Sequence, residues 1–206
     1  MPHGQQVNGN VPMESVNFEE MRRSMVDSQL RTSGVTDLWV LAAMGSIPRE
    51  DFVPRTHRST AYMDRSIALD DGTVLNPAVS AALLLQAADV RADDHVLLVG
   101  KPDGYVAAIL RTRVNALASV TANNMSAAQS AAPYSVIIID GAAEELPTAL
   151  VHVAADGARL VTGIIEGAVT RLAKGFVHKG KIALKAFADS EIAPLPAFAR
   201  KAEFVF

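Results

Sequence analysis

The chain has no cysteine, which removes disulfides, thiolate chemistry and cysteine-ligated zinc together. Its five histidines (His3, His57, His95, His152, His178) are scattered, with neither HxH nor HxxxH spacing. No metal site is expected. No apolar run approaches the ~18 residues of a membrane-spanning helix, so no membrane partner is expected. The N-terminus lacks a charged start followed by an apolar core, the mark of a secretory signal. With no targeting signal and no cysteine, a cytoplasmic location is expected. At net charge −3 no strongly basic segment stands out, and nucleic acid is not an expected partner. No repeat or low-complexity block is evident. What is present is ordinary for a folded chain: 50% apolar and 20% charged among 206 residues, enough for one domain with a buried core.

Residues 1–16 read as a flexible tail, or as an expression remnant before a native start at Met13. Residues 17–206 read as one domain, helical over 17–75 and sheet-forming over 76–206. Phe18, Met21, Met25 and Leu30 recur at helical spacing, with Met21, Met25 and Met44 assigned to the core. Arg22 and Arg23 are assigned to a solvated face. Ser33-Gly34 ends this helix. Thr36 is placed to cap a second helix, with Leu38, Leu41 and Met44 on one face, until Ile47-Pro48 stops it. Residues 49–71 read as a short helix plus an ordered loop around Phe52, Val53 and Tyr62, long enough to suggest function. Asn76-Pro77 reads as a cap with proline at the first helical position.

An apolar run (Val96 to Val99 in HVLLVGKPDGYVAAIL, residues 95–110) ends at Gly100, and a helical pattern follows. This strand–turn–helix order opens many nucleotide-binding α/β sheets, whose ligands sit beyond the carboxyl ends of the strands. Residues 114–119 suggest a second strand. Residues 134–140 (YSVIIID) have the uninterrupted β-branched character of a central parallel strand. Residues 146–155 read as a helix stopped by Gly157, with Glu144-Glu145 as its acidic N-terminal pair, and 159–165 as a further strand. Two strands around His178-Lys179-Gly180 and a terminal strand over 203–206 give the end of the chain an antiparallel character. The class is α/β with a mixed, mostly parallel sheet.

Several of these stretches together resemble the protein-L-isoaspartate O-methyltransferase family, class I enzymes using S-adenosylmethionine (SAM). The carriers are Met21-Arg22-Arg23 with Met25-Val26, Gln29-Leu30-Arg31 with Gly34-Val35, and Ile47-Pro48-Arg49-Glu50 with Phe52-Val53-Pro54. Ala61-Tyr62 with Asp64, Gly72 to Pro77 (GTVLNP), residues 96–110, 134–142 and the ending Phe204-Val205-Phe206 complete the set. The PRExFVP stretch ahead of AYxD is the most specific part. The resemblance implies a Rossmann-like methyltransferase sheet. It also implies methyl transfer from SAM to isoaspartyl carboxylates in damaged proteins or peptides, a reaction in which positioning supplies most of the effect.

Four positions depart from the family pattern. The glycine-rich turn reads Gly100-Lys101-Pro102-Asp103-Gly104-Tyr105, with Leu98 in place of an acid. The acidic residue that binds the ribose hydroxyls is matched by Ala118. The connection over 121–133 is too short for a helix and a third strand. The serine beside the transferred methyl is matched by Leu75, leaving Thr73 and Asn76 as nearby polar candidates. These departures imply weak or lost methyl transfer. The alternative is a catalytically inactive relative acting as a binding or scaffolding protein. The missing strand would expose a sheet edge and invite a homodimer.

The candidate catalytic residues are therefore Asp64, Thr73 and Asn76, and the candidate cofactor residues Gly100, Asp103, Gly104, Tyr105, Asp140 and Gly141. Plain structural readings stand beside these. Gly100 and Gly104 also suit any strand-to-helix turn, Asp103 a helix N-cap, and Tyr105 packing on the sheet. Asp140 and Gly141 also suit a turn, and Tyr62 with Asp64 a loop anchor.

Overall fold

The computed structural model describes residues 16–200. Residues 1–15 of the expected tail and the expected 203–206 strand lie outside the described residues. The first helix, α1 (Phe18–Ser24), is capped by Asn17 and runs on into a π-type turn, Met25–Leu30, closed by Arg31 N–H on Val26 O. Helix α2 (Leu38–Ser46) is capped by Asp37 rather than Thr36, because the Asp37 carboxylate reaches the amides of Trp39 and Val40. Its buried residues are Val40, Leu41, Ala43 and Met44. Leu38, in the first turn, is 77% exposed and not on that face.

Two short 3₁₀ turns, Arg49–Phe52 and Arg55–Thr60, lead into a small hairpin of β1 (Ile67–Ala68) and β2 (Val74–Leu75). Helix α3 (Ala78–Ala88) follows, then β3 (His95–Val99), α4 (Tyr105–Arg111) and β4 (Ala116–Val120). The short connection holds only the kinked 3₁₀ segment Ala122–Ala131 before β5 (Tyr134–Ala143). The 146–155 helix shrinks to α5 (Ala149–Val153), and strand β6 (Ala154–Glu166) begins at once. Pairing of Ala154 with Tyr134 draws the chain into the sheet there, so tertiary contact overrides the helical pattern. Glu144 and Glu145 consequently cap no helix; their amides donate to Phe198 O. Strands β7 (Val169–His178) and β8 (Lys181–Asp189) form a hairpin whose turn places Lys179 and Gly180 at positive φ, as a two-residue hairpin loop requires.

The main sheet has the order β4-β3-β5-β6-β7-β8. Strands β4, β3, β5 and β6 are mutually parallel; β7 and β8 are antiparallel. The other edge of β4 is unpaired among the described residues, as the short connection implied. Val96, Leu98, Val136, Ile138 and Val161 face α2, α3, α4 and the N-terminal helices. Leu97, Val99, Ile137, Ile139 and Leu160 face α5 and the 3₁₀ segment. Successive residues of β3 and β5 thus enter opposite cores, which explains their lack of apolar/polar alternation.

Candidate functional site

A cleft of about 360 Å³ opens at the carboxyl end of β3. Three stretches line it: Asp51 to Pro54, the β1–β2 hairpin (Leu69, Asp70, Asp71, Val74, Leu75), and the turn into α4 (Lys101, Asp103, Gly104, Tyr105). Asp140 closes the floor. Of the candidate residues, Asp103, Gly104, Tyr105 and Asp140 are brought together here. Gly100 and Gly141 lie behind the wall. Gly100 donates its amide to Val120 O, and a Cβ on it would come 3.1 Å from Asp140 Cβ. A Cβ on Gly141 would meet Leu195 at 2.5 Å.

The turn tolerates Pro102 for a local reason. Gly104 N–H donates to Lys101 O at 3.0 Å, making residues 101–104 a β-turn with proline at its second position. That position favours the fixed φ of proline and needs no amide hydrogen. Gly104 is required for space: a Cβ would lie 2.9 Å from Lys101 Cβ. Asp103 is not the N-cap of α4; Gly104 occupies that position, without a side-chain cap.

The three catalytic candidates are engaged in the scaffold. Asp64 Oδ1 accepts from Val79 N–H at 3.0 Å and so caps α3 from a distant loop. Asn76 does not cap α3; Pro77 stands at the cap position. Its side chain is fully used and only 2% of the residue is exposed. Nδ2 donates to Asp140 Oδ1 at 2.8 Å and Oδ1 accepts from Ala193 N–H at 2.8 Å. Asn76 therefore positions Asp140. The Thr73 hydroxyl donates to Asp71 Oδ1 at 2.5 Å.

Beneath the cleft, Arg49 is fully buried. Its guanidinium donates to Ala61 O at 2.8 Å and Asn76 O at 2.6 Å and lies 5.1 Å from the Tyr105 ring centroid. Arg49 Nη1 and the Tyr105 hydroxyl are buried without a hydrogen-bond partner among the described residues. Burial raises the Tyr105 pKa well above its ordinary value. Burial also raises the Asp140 pKa, opposed by the Asn76 hydrogen bond and the charge of Arg49. The neighbouring Arg22 is not solvated: it bonds Tyr62 at 2.8 Å and Glu50 at 2.9 Å, anchoring the loop that carries Asp51 and Phe52.

Five aspartates (Asp51, Asp70, Asp71, Asp103, Asp140) and one lysine line the cleft. The lysine, Lys101, ion-pairs with Asp71 across the mouth, joining the α4 turn to the hairpin tip. This pair holds the Asp71 carboxyl well below the usual carboxylate range, with Thr73 assisting. Sequence reasoning missed Asp51, Asp70 and Asp71. The length of the 49–71 loop was their only signal, since no local motif says which aspartates face inward.

Strand β4 ends at Val120, opposite Val99. The residue at its carboxyl end is therefore Thr121, an exposed hydroxyl residue. Ala118 sits inside the strand opposite Leu97. Its match to the acidic position was out of register, because the strand begins two residues later than its hydrophobic pattern suggests.

A family model for "Protein-L-isoaspartate(D-aspartate) O-methyltransferase (PCMT)" matches residues 21–125. The chain belongs to this methyltransferase family. The match ends inside the shortened 122–131 connection. The chain is 31% identical to protein-L-isoaspartate O-methyltransferase 2 of Anaeromyxobacter sp. (strain Fw109-5), over 74% of this chain and 73% of that one. It is 32% identical to the protein-L-isoaspartate O-methyltransferase of Koribacter versatilis, over 68% and 74%. A solved protein-L-isoaspartate O-methyltransferase shares the fold at a TM-score of 0.69 and 17% identity, covering 86% of this chain and 67% of that one. A second, from Plasmodium falciparum and in complex with S-adenosyl-L-homocysteine, gives 0.67 at 15% identity, covering 89% and 100%.

Proposed function

We propose that the chain uses SAM to methylate isoaspartyl carboxylates in proteins or peptides, at a low rate. The observation that carries this reading is the acid-lined cleft beyond the Gly100–Gly104 turn. A surplus of carboxylates favours a cationic ligand, and the donor is a sulfonium with an α-amino group. The fit is partial. Asp103, Gly104, Tyr105 and Asp140 suit the methionyl half. On the adenosine side Thr121 replaces an acidic clamp, and no strand lies beyond β4 among the described residues.

SAM would supply a methyl group already activated for transfer. An isoaspartyl carboxylate is ionised near neutral pH, so the protein needs no general base. Its work is to orient the carboxylate and exclude water. Phe52 and Leu75 give the cleft apolar walls, and Asn76 holds Asp140 in place. Leu75 provides no hydrogen bond to the incoming carboxylate. A missing bond to a charged group costs on the order of 1.5–3 kcal/mol, or roughly 10- to 150-fold in rate.

The second reading, a non-catalytic binding protein, is favoured by the Lys101–Asp71 pair, which spans the mouth that a donor must enter. An isoaspartyl peptide incubated with labelled SAM separates the two. Slow, enzyme-dependent methyl ester formation supports the first. No ester, together with no binding of S-adenosylhomocysteine at millimolar concentration, leaves only the second.

A further inference from the structure

The chain has six lysines (Lys101, Lys174, Lys179, Lys181, Lys185, Lys201), and four of them fall on the β7–β8 hairpin. Between Glu166 and Asp189 there is no acidic residue at all. The net charge of −3 hid this concentration. Cross-strand register puts Lys174 opposite Val161 and Lys185, and Phe176 opposite Arg159 and Ala183. Val161 belongs to the core beneath α3, whereas Val177, Ile182 and Leu184 face the other core. Lys174, Phe176, Lys181 and Lys185 therefore share the α3 side of the sheet, on the part that α3 leaves uncovered, and Phe187, the extra residue at a bulge in β8, joins them beside Lys174. Phe176 is 58% exposed and Phe187 38%, and the Lys174 ammonium lies 5.9 Å from the Phe187 ring centroid.

Arg171 is neutralised by Glu166 and Asp189, at 3.0 and 2.8 Å, and His178 sits 3.1 Å from Asp156. Lys174, Lys181 and Lys185 have no ion-pair partner among the described residues. Lysines commonly guard an edge strand against pairing, which accounts for Lys181 and Lys185 on β8. It does not account for Lys174, which lies on an interior strand directly opposite Lys185, where like charges destabilise. Nor does it account for two exposed phenylalanines on the same face.

We propose that this face binds single-stranded nucleic acid, with Phe176 and Phe187 as stacking platforms and Lys174, Lys181 and Lys185 as phosphate contacts. A bulge in β8 leaves Phe187 level with Leu172 and Ala173, so the rings stand three to four residues apart along the hairpin, about 10–13 Å at the rise of an extended strand, with the Lys174–Lys185 pair between them. Bases stack on aromatic faces without sequence preference, and lysines track the backbone. An acidic polypeptide would use the lysines and leave the rings idle. A lipid surface would need apolar residues at the hairpin tip, where His178 to Lys181 offer none. The site lies on the far side of the sheet order from the β3 cleft and is independent of the methyltransferase reading.

The test is fluorescence anisotropy of the full chain with a labelled oligothymidylate, repeated between about 50 and 200 mM salt. Log affinity is expected to fall against log salt with a slope of about −2, from three phosphate contacts at ~0.7 each. Phe176→Leu and Phe187→Leu, which keep an apolar side chain but remove the ring, are each expected to weaken binding about tenfold without changing the slope. Lys174→Ala with Lys185→Ala flattens the slope by about 1.4. Circular dichroism should match the parent for all four substitutions, and no variant should melt below it; loss of the opposed Lys174–Lys185 charges can only raise the midpoint slightly. The proposal is overturned by absence of binding at low salt. It is equally overturned if polyglutamate or phosphatidylserine vesicles bind as well as the oligonucleotide and the Phe→Leu variants change nothing.

Discussion

The Lys101–Asp71 pair makes a sharp prediction about ligand entry. Both side chains are partly exposed, 32% and 44%, so the pair contributes only ~0.2–1 kcal/mol after solvent screening. A ligand entering the cleft must part the two charges, and that cost is subtracted from its affinity. Breaking the pair beforehand should therefore tighten S-adenosylhomocysteine about 1.5- to 5-fold. The perturbations are Lys101→Met and Asp71→Asn, each measured by isothermal titration calorimetry. They separate two explanations. If the pair acts as a clasp, both variants bind more tightly. If only the field of the cleft matters, Lys101→Met tightens binding and Asp71→Asn weakens it, which would refute the clasp. The depressed Asp71 pKa also fixes the pH window. The folded pKa lies below the unfolded value, so the pair's contribution is present above about pH 4 and is lost as pH falls below that. Between pH 6 and 9, on the order of two units above that range, the difference between variants and parent should be constant.

Three further outcomes concern the scaffold. Arg49→Met removes the donor to two buried carbonyls and should destabilise the fold by about 3 kcal/mol; urea unfolding should show a lower midpoint at unchanged slope, and a loss under about 1 kcal/mol would mean that water satisfies those carbonyls. Gly141→Ala drives a Cβ to 2.5 Å from Leu195 Cγ and should cost ~1–3 kcal/mol through overpacking, read as a lower thermal midpoint; an unchanged midpoint would mean that the 192–195 segment moves freely. All three tyrosines have raised pKa values. Burial pushes Tyr62 up to about 12 and raises Tyr105 and Tyr134. Phenolate absorbance near pH 10 should therefore be weaker in the folded protein than in the urea-unfolded chain, which should titrate there. The folded state holds these protons longer, so stability should fall as pH rises from about 10 towards 12. A normal native titration would contradict the buried placement of Tyr62.

The strands were legible because their residues leave no choice. Val96 to Val99 and Val136 to Ile139 are apolar on both faces, and only a sheet covered twice buries them all. The β7–β8 hairpin was legible from its glycine-containing turn. Boundaries set by distant partners were not. Nothing near Asn76 in the sequence shows that its amide meets Asp140 and Ala193, 64 and 117 residues away, or that Asp64 replaces it as the cap of α3. The same limit hid the ribose position. Alanine and serine in ALASV carry no register signal, so only the pairing with β3 moves the residue matched to the acidic position from Ala118 to Thr121. The cleft was half visible. The Gly100–Tyr105 turn declared itself, whereas Asp51, Asp70 and Asp71 enter only because the Arg22–Glu50–Tyr62 anchor and the β1–β2 hairpin fold their loop inward.

Calorimetric titration of S-adenosylhomocysteine into the parent chain, Thr121→Glu and Ala118→Glu tests the cleft assignment most directly. Saturable binding to the parent is expected, tightened about 10-fold or more by Thr121→Glu, which restores a carboxylate at the end of β4, and left unimproved by Ala118→Glu. No heat from any of the three at millimolar ligand would contradict a cofactor site beyond the Gly100–Gly104 turn.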